Sequence, residues 1–144
     1  MASSARALLR RAGWSPDRKI DVGPVVDRFL ALGYPVFPSL EKFLEEFYGL
    51  VVRSEDGTKA ITFDLESVQH QTDAEYCREY AGEIGRPLTP VGTHSHMVVM
   101  IDANGGFWGS FDLVYGYKGD DIEQAVRSIL IDPPRLFDRR LPDQ

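Results

Sequence analysis

The chain has one cysteine, Cys77, among its 144 residues. One thiol cannot close an intramolecular disulfide, and it cannot supply a zinc site built from several thiolates. A secreted disulfide scaffold is excluded, and a reducing cytoplasm is the natural compartment. No apolar run approaches the roughly 18–20 residues of a membrane span. No glycine-rich loop fits a phosphate cradle. Gly105-Gly106 opens a strand pattern, and Gly116-Tyr117-Lys118-Gly119 lacks the Lys-Ser or Lys-Thr ending. Gly-x-Ser-x-Gly is missing too, as are repeats, low-complexity tracts and linkers. Cations are in deficit: 16 Lys plus Arg stand against 22 Asp plus Glu, for a net charge of −6. A surface of that sign repels phosphate and argues against a general nucleic-acid binder, while it suits a basic partner.

What is present describes an ordinary soluble domain. Apolar residues make up 43% and charged residues 26%, enough for one real core in a chain of this length. The charge is unevenly placed. Residues 1–19 hold five cations, among them Arg6, Arg10 and Arg11, against Asp17, a balance of +4 that leaves −10 for the rest. A stretch rich in Ala, Ser and Arg without acids, such as Met1 to Trp14, also describes a mitochondrial transit peptide. The favoured reading is an amphipathic helix of the domain, with Leu8 and Leu9 inward.

Further helices are expected at Val22 to Leu32, Leu40 to Tyr48, Asp73 to Ile84 and Asp121 to Ile131. Asp21, Ser39, Thr72 and Asp120 are their cap candidates. Val22, Val25, Val26, Phe29 and Leu30 share one face of the first of these. Leu40, Phe43, Leu44 and Phe47 form a clean stripe on the second. Leu50 to Arg53 and Ala60 to Phe63 flank Asp56-Gly57 as a hairpin. Leu65 to Thr72 reads as polar loop. Strands are expected at Leu88 to Thr93, Met97 to Asp102 and Phe107 to Phe111, with Val114 to Tyr117 extending the last or forming another. The order predicts an α+β fold, an antiparallel or mixed sheet flanked by helices, with the helices packed on one face. One domain is expected over residues 1–132, followed by a loosely held polar tail, 133–144.

Candidate chemistry is thin. His94 and His96 sit at strand spacing, where residues i and i+2 point the same way and could share a metal, with His70 or Asp102 as third ligand. The bland alternative is a pair of turn histidines. Cys77 lies mid-helix without a nearby histidine and reads as core packing. Glu45-Glu46 and Asp120-Asp121 read as a wet helix face and a helix start, not as an acid–base pair. The aromatic cluster is more suggestive. Trp108 alternates with Phe107 and Phe111, so it can face away from the core, with Asp112, Tyr115 and Tyr117 beside it. These four residues are the candidate partner-binding set. The bland alternative covers both faces of that strand.

Several motifs in order resemble one branch of the SUKH superfamily, its third immunity-protein group. Leu9 to Arg18, reading LRRAGWSPDR, is similar to that family's AGW-x-P-x-R start. Phe43 to Leu50 resembles its FLxxFGGL helix end, and Phe63-Asp64 its F-D strand. Gly85 to Gly92 resembles G-x-x-L-x-P-[VI]-G, and Ile101-Asp102-x-x-Gly105 resembles I-D-x-x-G-x-[VF]-[YW]. Tyr48 stands where the family has Gly, Gly105-Gly106 where one glycine is usual, and His94-Ser95-His96 has no counterpart. The resemblance implies an α+β immunity protein that binds and neutralises a cognate toxin, often a nuclease or deaminase, inside the producing cell. It implies no cofactor and no catalytic residues. The alternatives are a regulatory protein-binding module without a toxin, and a small metal enzyme using His94 and His96.

Overall fold

The computed structural model describes residues 4–134 and 137–142. Its frame is a seven-stranded sheet whose strands follow one another in chain order, every neighbour antiparallel. The strands are β1 (Val51–Arg53), β2 (Ala60–Thr62), β3 (Leu88–His94), β4 (Met97–Asp102), β5 (Phe107–Phe111), β6 (Val114–Gly119) and β7 (Arg139–Arg140). The helices are α1 (Ala5–Arg11), α2 (Gly23–Ala31), α3 (Pro38–Phe47), α4 (Leu65–Gln69), α5 (Ala74–Ile84) and α6 (Ile122–Val126). This is the expected α+β class, and its sheet is antiparallel throughout.

The helices cover both faces of the sheet, not one. On β5 successive side chains alternate, so Phe107 and Trp108 point to opposite sides. Phe43 of α3 meets Phe107 with ring centroids 5.4 Å apart. Tyr115 lies opposite Ser110 in the β5–β6 register and so shares the face of Trp108. Its ring meets Tyr80 of α5 at 5.2 Å. An aromatic clamp on each face therefore buries the middle strands from both sides.

The α3 stripe behaves as its spacing predicts, with Leu40, Phe43, Leu44 and Phe47 all buried. Phe43 also contacts Phe47 and Phe63, each at 5.2 Å, so one ring ties the helix to two parts of the sheet. On α2 Phe29 is fully buried and Val22, Val25 and Val26 are half-buried against the core, as expected, while Leu30 departs from that face at 54% exposure. The stretch expected to be loop contains α4. Asp64 accepts from the Ser67 amide at 2.7 Å, and Leu65 and Val68 are buried.

Caps shift by one residue wherever two candidates adjoin. Asp73, not Thr72, caps α5, and Asp121, not Asp120, caps α6. Phe37 precedes α3, and the Ser39 hydroxyl donates instead to the Asp102 carbonyl at 3.1 Å. After Val126 the last helix widens into a π-helical turn, Arg127–Ile131.

Both ends of the chain contribute to the packing. Leu8 and Leu9 of α1 are each 1% exposed. Trp14 stacks on Phe47 at 5.9 Å and donates to Glu46 at 3.3 Å. The Arg18 guanidinium donates to the carbonyls of Glu46 and Tyr48, which the C-terminus of α3 leaves unpaired. The basic leader thus contains the domain's first helix. In the tail, β7 pairs Arg139 with Tyr115 and Arg140 with Val114, and Leu141 is buried. That part is held by the sheet, which corrects the expectation of a loose tail.

Glycine is needed where β2 approaches β3. A Cβ on Gly92 would lie 2.6 Å from the Thr62 carbonyl oxygen, at the point where β3 bulges. Any side chain there would push the two strands apart.

Candidate partner-binding surface

Asp102 ends β4 and organises one end of the sheet. Its side chain is fully buried. Oδ1 accepts from the amides of Asn104 at 2.8 Å and Gly106 at 3.0 Å. Oδ2 accepts from Trp108 Nε1 at 2.9 Å and from Arg86 at 3.1 Å. Burial pushes its carboxyl upward, but these donors outweigh burial and leave it below the ordinary carboxylate value. Gly105, at φ 88°, makes the turn that aims the amides inward. Asp102 is thus a hairpin anchor, with no lone pair left over for a metal.

Trp108 belongs to this anchor. Its indole N–H is spent on Asp102, and it is 5% exposed between Tyr117, whose ring centroid lies 5.0 Å away, and the Arg139 guanidinium at 5.3 Å. Tyr115 is 4% exposed. Neither presents the exposed aromatic face expected of an interface residue, because α5 and β7 close over that side of the sheet. Tyr117 is 42% exposed and donates its hydroxyl to Asp120. Burial of the ring and the Asp120 carboxylate push its phenol up to about 12. Asp112 is exposed, but it lies in the β5–β6 turn, at the far end of the hairpin from Tyr117. The four candidates therefore do not form one surface patch.

The histidines flank a turn. Ser95 between them is left-handed at φ 54°, so the segment turns and the i, i+2 argument for a shared side fails. His94 Nδ1 lies 2.9 Å from the Ala60 carbonyl. His96 is exposed beside Phe111, with ring centroids 5.9 Å apart. Asp102 sits at the other end of β4, roughly 17 Å along the strand. His70 caps α4 at the surface. Among the described residues, no three His, Cys, Asp or Glu side chains converge as a metal would require. Cys77 is buried, and burial pushes its thiol up to about 12, so it packs as a small apolar group. Glu45 pairs with Lys19 at 3.5 Å and Glu46 accepts from Trp14, so each is engaged with the N-terminal segment.

The end of the sheet opposite Asp102 holds a cleft that local sequence did not indicate. Two turns, around Ser95 and Asp112, meet the α4–α5 junction there. The cleft has a volume of about 250 Å³, and Gln71, Tyr76, His96, Ser110, Phe111 and Asp112 are among its walls. Ser95 and Asp112 are the non-glycine residues with positive φ among the described residues, both at 54°. Tyr76 and Tyr80 both donate their hydroxyls to the Asp112 carbonyl, which holds that turn against α5. Burial drives the Tyr80 phenol well above its ordinary value, so it stays a donor. Gln71 donates to the Ser95 carbonyl at 3.2 Å and ties the second turn to the same helix pair. These residues come from three separate segments of the chain, so no local spacing could have announced them.

Among the described residues, no helix is long and apolar enough to cross a membrane. The architecture is that of an α+β domain with polar and aromatic side chains at both ends of the sheet, and among the described residues no buried side-chain N or O lacks a hydrogen-bond partner. The chain belongs to the SUKH-3 immunity protein family, whose model matches residues 1–132. No curated protein and no solved structure matches it.

Proposed function

We propose that this chain is an immunity protein that binds a cognate toxin of a polymorphic toxin system and blocks it without catalysis. The observation that carries this is the family match over residues 1–132. The toxin would be a nuclease or deaminase neutralised in the cytoplasm of the producing cell. The balance of −10 beyond residue 19 supports a basic partner, as a cationic substrate groove would provide. Direct contact falls to exposed residues of the candidate set, Asp112 and Tyr117. Trp108 and Tyr115 support them from beneath.

The test is co-expression with the product of a neighbouring toxin gene. Suppressed toxicity and a stable complex in pull-down are expected. Toxicity unrelieved by this chain, together with no complex, would overturn the reading and favour a regulatory module that binds some other protein. A metal enzyme using His94 and His96 has less support, since Ser95 turns the two side chains out of strand geometry.

A further inference from the structure

We infer that the cleft between the β3–β4 turn, the β5–β6 turn and α5 receives an arginine side chain of the protein partner. This rests on the reading of the chain as a protein-binding inhibitor. Three properties of the cleft carry it. The first is size: about 250 Å³ is below the roughly 300–1,000 Å³ of small-molecule sites, so it suits one inserted side chain better than a cofactor.

The second is lining. Tyr76, His96 and Phe111 supply ring faces, and Phe111 stands 48% exposed at the mouth. No lysine or arginine lines the cleft. Three larger concavities differ in that each includes its own cation. Those of about 530 Å³ beside Leu8 and Lys59 and about 540 Å³ beside Arg18 and Glu45 have no aromatic wall, and that of about 340 Å³ beside Tyr34 contains Arg78.

The third is Asp112. Its carbonyl is occupied by the two tyrosine hydroxyls, while among the described residues its carboxylate has no hydrogen bond or ion pair. It keeps a left-handed backbone that glycine would adopt more easily. A carboxylate beside aromatic faces matches a guanidinium, which is planar, stacks on rings and donates two parallel N–H groups. Lysine offers a point charge and fits less well. The free carboxylate and the acidic body supply the charge complementarity that an arginine of a basic protein requires.

The test is a titration of isotope-labelled protein with acetyl-arginine methylamide, followed by amide NMR. Saturable shifts are expected at Tyr76, His96, Phe111 and Asp112. The neutral citrulline analogue should bind at least about fivefold more weakly, as should Asp112→Asn with the arginine probe. Asparagine tolerates the left-handed backbone, so that variant keeps its fold. Equal response to citrulline, shifts scattered over other acidic surfaces, or an unaffected Asp112→Asn would overturn the inference. Full protection by Asp112→Asn against a toxin that the native chain blocks would also overturn it, while leaving the immunity reading intact. Failure of the native chain to protect would overturn the immunity reading, and the titration alone then decides the cleft.

Discussion

Two aspartates mark the two ends of the sheet, and the chain treats them in opposite ways. Asp102 is fully buried, its carboxylate holds four donors, and a glycine makes the turn beside it. Asp112 is exposed, its carboxylate is unpartnered among the described residues, and its own backbone takes the left-handed conformation. At the first end every polar group is satisfied within the domain, which is what a structural anchor requires. At the second the backbone is tied in by the two tyrosine hydroxyls and takes the positive φ that a two-residue hairpin loop favours, while the carboxylate has no internal partner among the described residues. Strain and unspent polarity gather where a protein meets something else. The comparison separates residues that hold this domain together from residues available to a partner.

The largest expected effect is at the anchor. Asp102→Ala leaves the buried Trp108 indole N–H and the buried Gly106 amide without their acceptor and releases Arg86 and the Asn104 amide, and should cost about 3 kcal/mol in denaturant unfolding. Because the folded carboxyl titrates below its unfolded value, its contribution is fully present above the unfolded pKa of about 3.9. It is lost as pH falls through the folded value. The stability gap between the native chain and Asp102→Asn should therefore narrow on acidification below about pH 4. A gap that is constant down to acid-induced unfolding would show that Asp102 is not held as an anion. Next in size is Trp108→Phe, which removes one donor to Asp102 and shrinks the ring surface under Arg139. A loss of about 2 kcal/mol in stability is expected, with toxin affinity of the folded protein unchanged. Lost affinity at full stability would restore Trp108 as a direct contact.

How much of this was legible in the sequence follows from how local each feature is. The α3 stripe and the strands from Leu88 to Phe111 could be read because periodicity is a property of neighbouring residues. The alternation that sets Trp108 opposite Phe107 was legible too. What covers Trp108 was not, since α5 and β7 come from elsewhere in the chain. The five residues of α4 are too few to show a period, and its cap, Asp64, entered the sequence reading only in the F-D motif. Leu30 has the right spacing for burial, but it lies at the edge of a face whose Val22, Val25, Val26 and Phe29 meet the core, so one helical face can exceed what its neighbours cover. Thr72-Asp73 and Asp120-Asp121 each offer two chemically adequate caps, and the chain's path around them decides. The cleft was illegible for the same reason as the cover over Trp108, because the turns that carry its walls meet only in the folded molecule.

The smallest effect is also the most diagnostic, because its two readouts should move in opposite directions. Asp112→Gly keeps the backbone carbonyl that Tyr76 and Tyr80 bind, so the turn stays tied to α5. It removes a Cβ from a residue at φ 54°, and relief of that strain should outweigh glycine's extra freedom in the unfolded chain. Stability should rise by about 0.5 kcal/mol, read as a small increase in denaturation midpoint. The same change deletes the free carboxylate and should weaken toxin binding. A residue that costs stability yet serves binding is what selection keeps at an interface. Should Asp112→Gly lower stability, Asp112 would be a second structural anchor like Asp102, and the contrast between the two ends of the sheet would collapse.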